Sequence, residues 1–157
     1  MIRSFVECHL EAAMSERTIR SIIEGQELIT TTATTTVMQA AHIMREANVG
    51  AIMVVDADRL VGVFTERDAL FRVVADGLDA RTATVAEVMT RNPQTIAPDC
   101  QFAQALQMMH EGKFRHVPVV EGERLVGVVS ARDALGPELE AFVYEMLRQD
   151  QVNEVLA

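Results

Sequence analysis

A chain of 157 residues with 49% hydrophobic side chains is long enough to bury a core, and its formal net charge of −9 leaves no basic face for neutralising nucleic-acid phosphates. Its two cysteines, Cys8 and Cys100, stand apart with neither a CxxC nor a spaced histidine pair beside them, so a disulfide framework and a metal site both lack ligands. No apolar run approaches the roughly 20 residues of a membrane span, and Glu7, His9 and Glu11 interrupt the amino-terminal stretch; the expectation is a cytoplasmic protein that neither enters a membrane nor binds nucleic acid.

Residues 1–13 read as an accessory helix, or as a stretch ahead of a natural start at Met14-Ser15-Glu16-Arg17. Thr18–Ile23 reads as a short helix, Leu28–Thr31 as extended, and the threonine run to Thr36 ends on a hydroxyl suited to an N-cap. Val37, Ala40, Ala41 and Met44 then recur at helical spacing. Two β-branched runs follow, Ala51–Val55 and Leu60–Phe64, joined by the turn "DADR", and a helix is expected over Glu66–Ala75, stopped by Asp76-Gly77. Thr84–Met89 is another short helix, Gln94–Ile96 another extended piece, and Phe102, Ala105, Leu106 and Met109 another helical face. Val117–Val120 and Leu125–Val129 form a second strand pair about "EGER". The helix after it breaks at Gly136-Pro137, and a Glu-rich amphipathic helix is expected over Glu138–Arg148.

This order of elements is written twice. Arg59–Leu70 and Arg124–Leu135 are identical at nine of twelve positions, and the same shift of 65 places Ala40 on Ala105, Met44 on Met109 and Val54-Val55 on Val119-Val120. Units of this size cannot bury an apolar face alone, so two modules completing one another's core are expected. The boundaries are an extension over 1–17, a first repeat over 18–78, a second over 79–136 and a carboxy-terminal helix over 137–157. The fold class is α/β (α+β): two β-α-β-β-α repeats packed sheet to sheet with pseudo-twofold symmetry.

The chemistry sits where each third strand runs into a helix, at Gly62-x-x-Thr65-x-x-Asp68 and Gly127-x-x-Ser130-x-x-Asp133. A hydroxyl beside free backbone N–H groups favours an anion, and a carboxylate one turn on accepts two hydrogen bonds from a vicinal diol. Phosphate plus ribose suits this spacing, with Arg67 and Arg132 able to add charge-assisted bonds. The same residues also satisfy a capping box, in which hydroxyl and acid only close the helix end. Arg115-His116 in the second copy replaces Gly50-Ala51 of the first, and there either meets a polyphosphate or forms a solvated strand end. His42 and His110 do not align under the shift and read as helix-surface residues. With no P-loop, no Gly-x-Ser-x-Gly and no HExxH, no catalytic residue is expected.

The phrases "GVFTERD" and "GVVSARD", with "VGAIMVVD", "RHVPVVE" and the "VAEVMTRNPQTIAPD" lead into the second copy, resemble the CBS (cystathionine beta-synthase) domain in its tandem form, the Bateman module. The resemblance covers residues 18 to about 135. It implies clefts between the copies that bind adenosyl ligands: AMP, ADP, ATP or S-adenosylmethionine. By position it gives Thr65 and Ser130 to phosphate and Asp68 and Asp133 to ribose, with Arg67, Arg132, Arg115 and His116 as further contacts. Adenine would lie near Thr30, Thr31, Ile52, Met53, Thr95, Ile96, Val117 and Pro118. It further implies a regulatory module rather than an enzyme, pairing into a flat homodimer and read by an effector protein, with no cofactor or metal. A structural dimeriser without ligand, and less readily a small enzyme, are the alternatives.

Overall fold

A computed structural model describes residues 17–134; the amino-terminal stretch and the amphipathic helix expected over Glu138–Arg148 lie outside the described residues. The elements run α1 (Ile19–Ile23), β1 (Thr30–Thr31), α2 (Val37–Glu46), β2 (Ala51–Asp56), β3 (Arg59–Thr65) and α3 (Glu66–Asp68), which passes into a π-helical turn over Ala69–Val74. Then come α4 (Val85–Val88), β4 (Thr90–Arg91), α5 (Phe102–Gly112), β5 (His116–Glu121), β6 (Arg124–Ser130) and a 3-10 turn over Ala131–Ala134. The helix expected over Glu66–Ala75 is therefore α-helical only in its first turn. The extended piece expected over Gln94–Ile96 reduces to one parallel bridge, Ile96 to Val119, equivalent to the Thr31–Val54 pairing of the first copy, and a further short strand forms at Thr90–Arg91.

Capping explains the two long helices. The Gln39 amide donates to Thr36 Oγ1 at 3.3 Å while the Thr36 amide donates to Gln39 Oε1 at 3.1 Å, and the Gln101 amide donates to Gln104 Oε1 at 3.0 Å. Both helices stop at equivalent left-handed residues, Asn48 (φ 54°) and Lys113 (φ 55°). The hairpin turns are also left-handed, through Ala57 and Asp58 in one copy and Gly122 in the other.

β2 and β3 pair antiparallel with a bulge between Val54 and Val55, and β5 and β6 repeat that register and bulge. The antiparallel pair Arg59 to Arg124 joins β3 to β6, giving a sheet of order β1-β2-β3-β6-β5. Ala51, Met53, Val63 and Leu125 bury a shared apolar cluster between the two copies.

Two further cores lie one in each half, and each is closed by the other copy's leading helix. Ile19 of α1 is buried with Phe102, Val117, Val119 and Val129, whereas Val85, Val88 and Met89 of the α4 segment are buried with Val37, Ala40, Ile52 and Phe64. Backbone bonds fix the exchange: Ile19 N to Cys100 O at 2.9 Å and Phe102 N to Arg17 O at 2.8 Å on one side, Val37 N to Ala83 O at 2.9 Å and Val85 N to Thr35 O at 2.8 Å on the other. β4 likewise pairs with β3 of the first copy. At the equivalent place Gln26 uses its side-chain amide, donating to Val128 O at 2.9 Å and accepting from Val128 N at 2.8 Å, in place of a strand. The glycines of the repeated phrase are required by this exchange. A Cβ on Gly62 would lie 2.4 Å from Met89 Sδ, and one on Gly127 would lie 2.6 Å from Ile23 Cγ2.

Candidate functional site

Where β3 ends, Thr65 and Asp68 close a reciprocal capping box. The Thr65 amide and hydroxyl donate to Asp68 Oδ2 at 2.9 and 2.8 Å, and the Asp68 amide donates to Thr65 Oγ1 at 3.2 Å. Ser130 and Asp133 repeat half of it, the Ser130 amide and hydroxyl donating to Asp133 Oδ2 at 2.6 and 3.1 Å. The helix-capping role is thus present in both copies. It occupies Oδ2 of each carboxylate and still leaves each pair on the wall of a cleft.

The Thr65 cleft encloses about 480 Å³ and the Ser130 cleft about 350 Å³. Each is built half by each copy. Thr65 and Asp68 face Asn92-Pro93-Gln94 and Lys113-Phe114, and Ser130 and Asp133 face Glu27-Leu28-Ile29 and Asn48-Val49, positions equivalent under the shift of 65. Gly50, Glu66, Arg115 and His116 line both clefts and so form the wall between them. Across that wall Glu66 of the first copy forms an ion pair with Arg115 of the second. Gly50 leaves the space that Glu66 uses, since a Cβ there would stand 3.3 Å from Glu66 Oε2. Burial, reinforced by the neighbouring Arg115, pushes the His116 imidazole below its ordinary pKa. It is therefore neutral at neutral pH and adds no charge to the wall.

Thr65, Arg67, Asp68, Ser130, Arg132, Asp133, Arg115 and His116 all line a cleft. The residues expected against adenine are placed elsewhere. Ile52, Met53, Val117 and Pro118 are fully buried, Ile96 is buried in the second core, and Thr31 is buried and donates to Thr35 Oγ1 at 2.8 Å. Thr30 and Thr95 are exposed but line neither cleft. The reason is the parallel pairing of Thr30 with Met53 and Thr31 with Val54, which turns these strands into core and leaves the residues just before each strand to form the cleft floor. Those floor residues, with Lys113, Glu66 and Arg72, were missed. The equivalent helix-ending positions Asn48 and Lys113 were the available signal, because a left-handed residue at a helix end throws the next residues across a strand end.

The profile of the CBS domain matches residues 19–75 and 85–137. The chain belongs to the CBS domain family. This CBS pair is 36% identical over 121 residues to the CBS domain-containing protein CBSCBSPB2 of Arabidopsis thaliana, a match spanning 76% of the chain and 22% of that protein. It therefore corresponds to about a fifth of that relative's length. A signal-transduction protein with CBS domains from Burkholderia ambifaria, described as putative, superposes with a TM-score of 0.74 at 29% identity, covering 79% of this chain and 95% of that one. The CBS domain protein PAE2072 from Pyrobaculum aerophilum, solved in complex with AMP, superposes with a TM-score of 0.69 at 26% identity, covering 74% of this chain and 89% of that one. Among the described residues no helix is long and apolar enough to cross a membrane, and no group of three or more His, Cys, Asp or Glu side chains could hold a metal ion.

Proposed function

We propose that this CBS pair is a regulatory module that binds an adenosyl nucleotide, one of AMP, ADP, ATP or S-adenosylmethionine, in the clefts between its repeats. The carrying observation is that each cleft takes its hydroxyl and carboxylate from one copy and its floor from the other. A ligand in such a cleft bonds to both copies at once and biases their relative placement, which is how binding becomes a signal for an effector protein. Thr65 and Ser130 meet phosphate, Asp68 and Asp133 hold the ribose diol through the carboxylate oxygen that capping does not use, and the adenine lies on the floor about Leu28-Ile29 or Pro93-Gln94. The AMP complex of the similar Pyrobaculum protein supports this ligand class. The module senses and does not catalyse, and it works in the cytoplasm.

Calorimetric titration of the full chain with AMP, ADP, ATP, NADH and S-adenosylmethionine tests the reading. Micromolar binding of at least one adenosyl ligand is expected, and Asp68→Asn together with Asp133→Asn, which keep an acceptor for the capped amides, should weaken it at least about ten-fold. Silence across the panel would leave the residues as helix caps and the chain as a structural dimeriser.

The π-helical turn exposes Leu70, Phe71 and Val74, 55 to 69% accessible, with Leu78 beside them at 45%. A contiguous apolar strip of this kind on a small domain is suited to self-association, and it supports a homodimer. Light scattering at micromolar concentration should return twice the chain mass, and a monomer would contradict it.

A further inference from the structure

Resting on the reading of both clefts as adenosyl-nucleotide sites, we infer that the clefts are sorted by charge: the Thr65 cleft takes a nucleoside di- or triphosphate, and the Ser130 cleft disfavours it. Both carboxylates of the Thr65 cleft are already matched, Asp68 by Arg72 at 3.4 Å and Glu66 by Arg115. Arg67 and Lys113 remain on its lining without a carboxylate partner among the described residues. They share one rim, because Arg67 Nη1 donates to the Lys113 carbonyl at 3.0 Å. Charge not already spent on a neighbour is what a chain of phosphates beyond the first would meet there.

The Ser130 cleft reverses the balance. Glu27 and Asp133 line it with no ion-pair partner among the described residues, against Arg132 and an Arg115 that Glu66 already holds. In the sequence, the shift of 65 aligns Asn48 with Lys113, Gly50 with Arg115 and Pro137 with Arg72. Of the four cations lining the first cleft, only Arg67 has a charged counterpart by sequence in the second, Arg132.

The shared wall strengthens the sorting. A phosphate that draws Arg115 into the Thr65 cleft leaves Glu66 unpaired at the edge of the Ser130 cleft, and a further anion there meets an added negative charge. One polyphosphate per chain follows from this arrangement, not two.

Titration of the full chain with ATP, AMP and adenosine in magnesium-free buffer, on wild type and on the Lys113→Asn, Asp68→Asn and Asp133→Asn variants, tests this. Asparagine suits the left-handed conformation of residue 113, as Asn48 does in the other copy, so the substitution removes charge without disturbing the turn. Wild type should bind one ATP per chain about ten-fold or more tightly than AMP, and Lys113→Asn should narrow that ratio by about three-fold. The ATP isotherm should vanish in Asp68→Asn and persist in Asp133→Asn. ATP binding no tighter than AMP, two equal ATP sites, a ratio untouched by Lys113→Asn, or loss in Asp133→Asn with retention in Asp68→Asn would each overturn charge sorting while leaving the nucleotide reading intact. Failure of all three ligands to bind would remove the sorting, and with S-adenosylmethionine also silent it would remove the nucleotide reading itself.

Discussion

Phe64→Ala is expected to cost about 3–5 kcal/mol of unfolding free energy, a large share of the roughly 5–15 kcal/mol typical of a domain. Phe64 is completely buried in the first core, against side chains from α2, β2 and α4. The second core has Val129 at the equivalent position and is filled instead by Phe102 from α5, whose own counterpart is Val37. The fully buried phenylalanine thus sits on a strand in the first core and on a helix in the second. Among the described residues the first core has no second aromatic packed in it to close over the space left by the loss of Phe64, whereas Phe114 packs against the second. Phe64→Val, which installs the other copy's residue, should cost roughly 2 kcal/mol because part of the volume is kept. Urea unfolding monitored by circular dichroism checks both. A loss below about 1 kcal/mol for the alanine variant would mean that the first half repacks around the gap. Because Phe64 immediately precedes Thr65, the same variant is expected to weaken nucleotide binding as well.

Gly127→Ala should be the second large effect, destabilising by about 2–3 kcal/mol. Alanine in a strand interior ordinarily packs better than glycine, so the sign of the change tests the close contact directly. The added Cβ would stand 2.6 to 2.8 Å from Cγ2, Cβ and Cδ1 of Ile23, a branched side chain with little freedom to turn away. Gly62→Ala meets the thioether of Met89 at 2.4 Å and the Thr90 carbonyl at 3.0 Å. A methionine can swing aside, so about 1 kcal/mol is expected there. Relief of the Gly127→Ala penalty by Ile23→Ala would tie the cost to α1 resting on β6. An unchanged penalty would mean that the leading helix does not carry it.

The exchange of leading helices also shows where sequence reading stops. The repeat made α1 and α4 visible as equivalent pieces, and each was expected to belong to the copy it introduces. Local pattern carries no information on which of two near-identical surfaces a five-residue helix covers, because both offer a glycine-floored strand of the same shape. Similarly, the glycine of "VGVF" and "VGVV" looked like part of a ligand motif. Its contacts with Met89 and Ile23 give it a packing role, while the capping box accounts for the hydroxyl and acid on local grounds.

The sequence by itself determined the duplication, the strand and helix order, the CBS family, and eight of the polar residues that line the clefts, because these are carried by short-range spacing and by identity between copies. The tertiary structure alone decided which copy each leading helix closes, that six of the eight residues expected against adenine are buried, and that one ion pair, Glu66 with Arg115, divides two clefts of unlike charge. Those facts depend on residues 49 positions apart in the chain being brought side by side, and only the packing of one half against the other sets that distance.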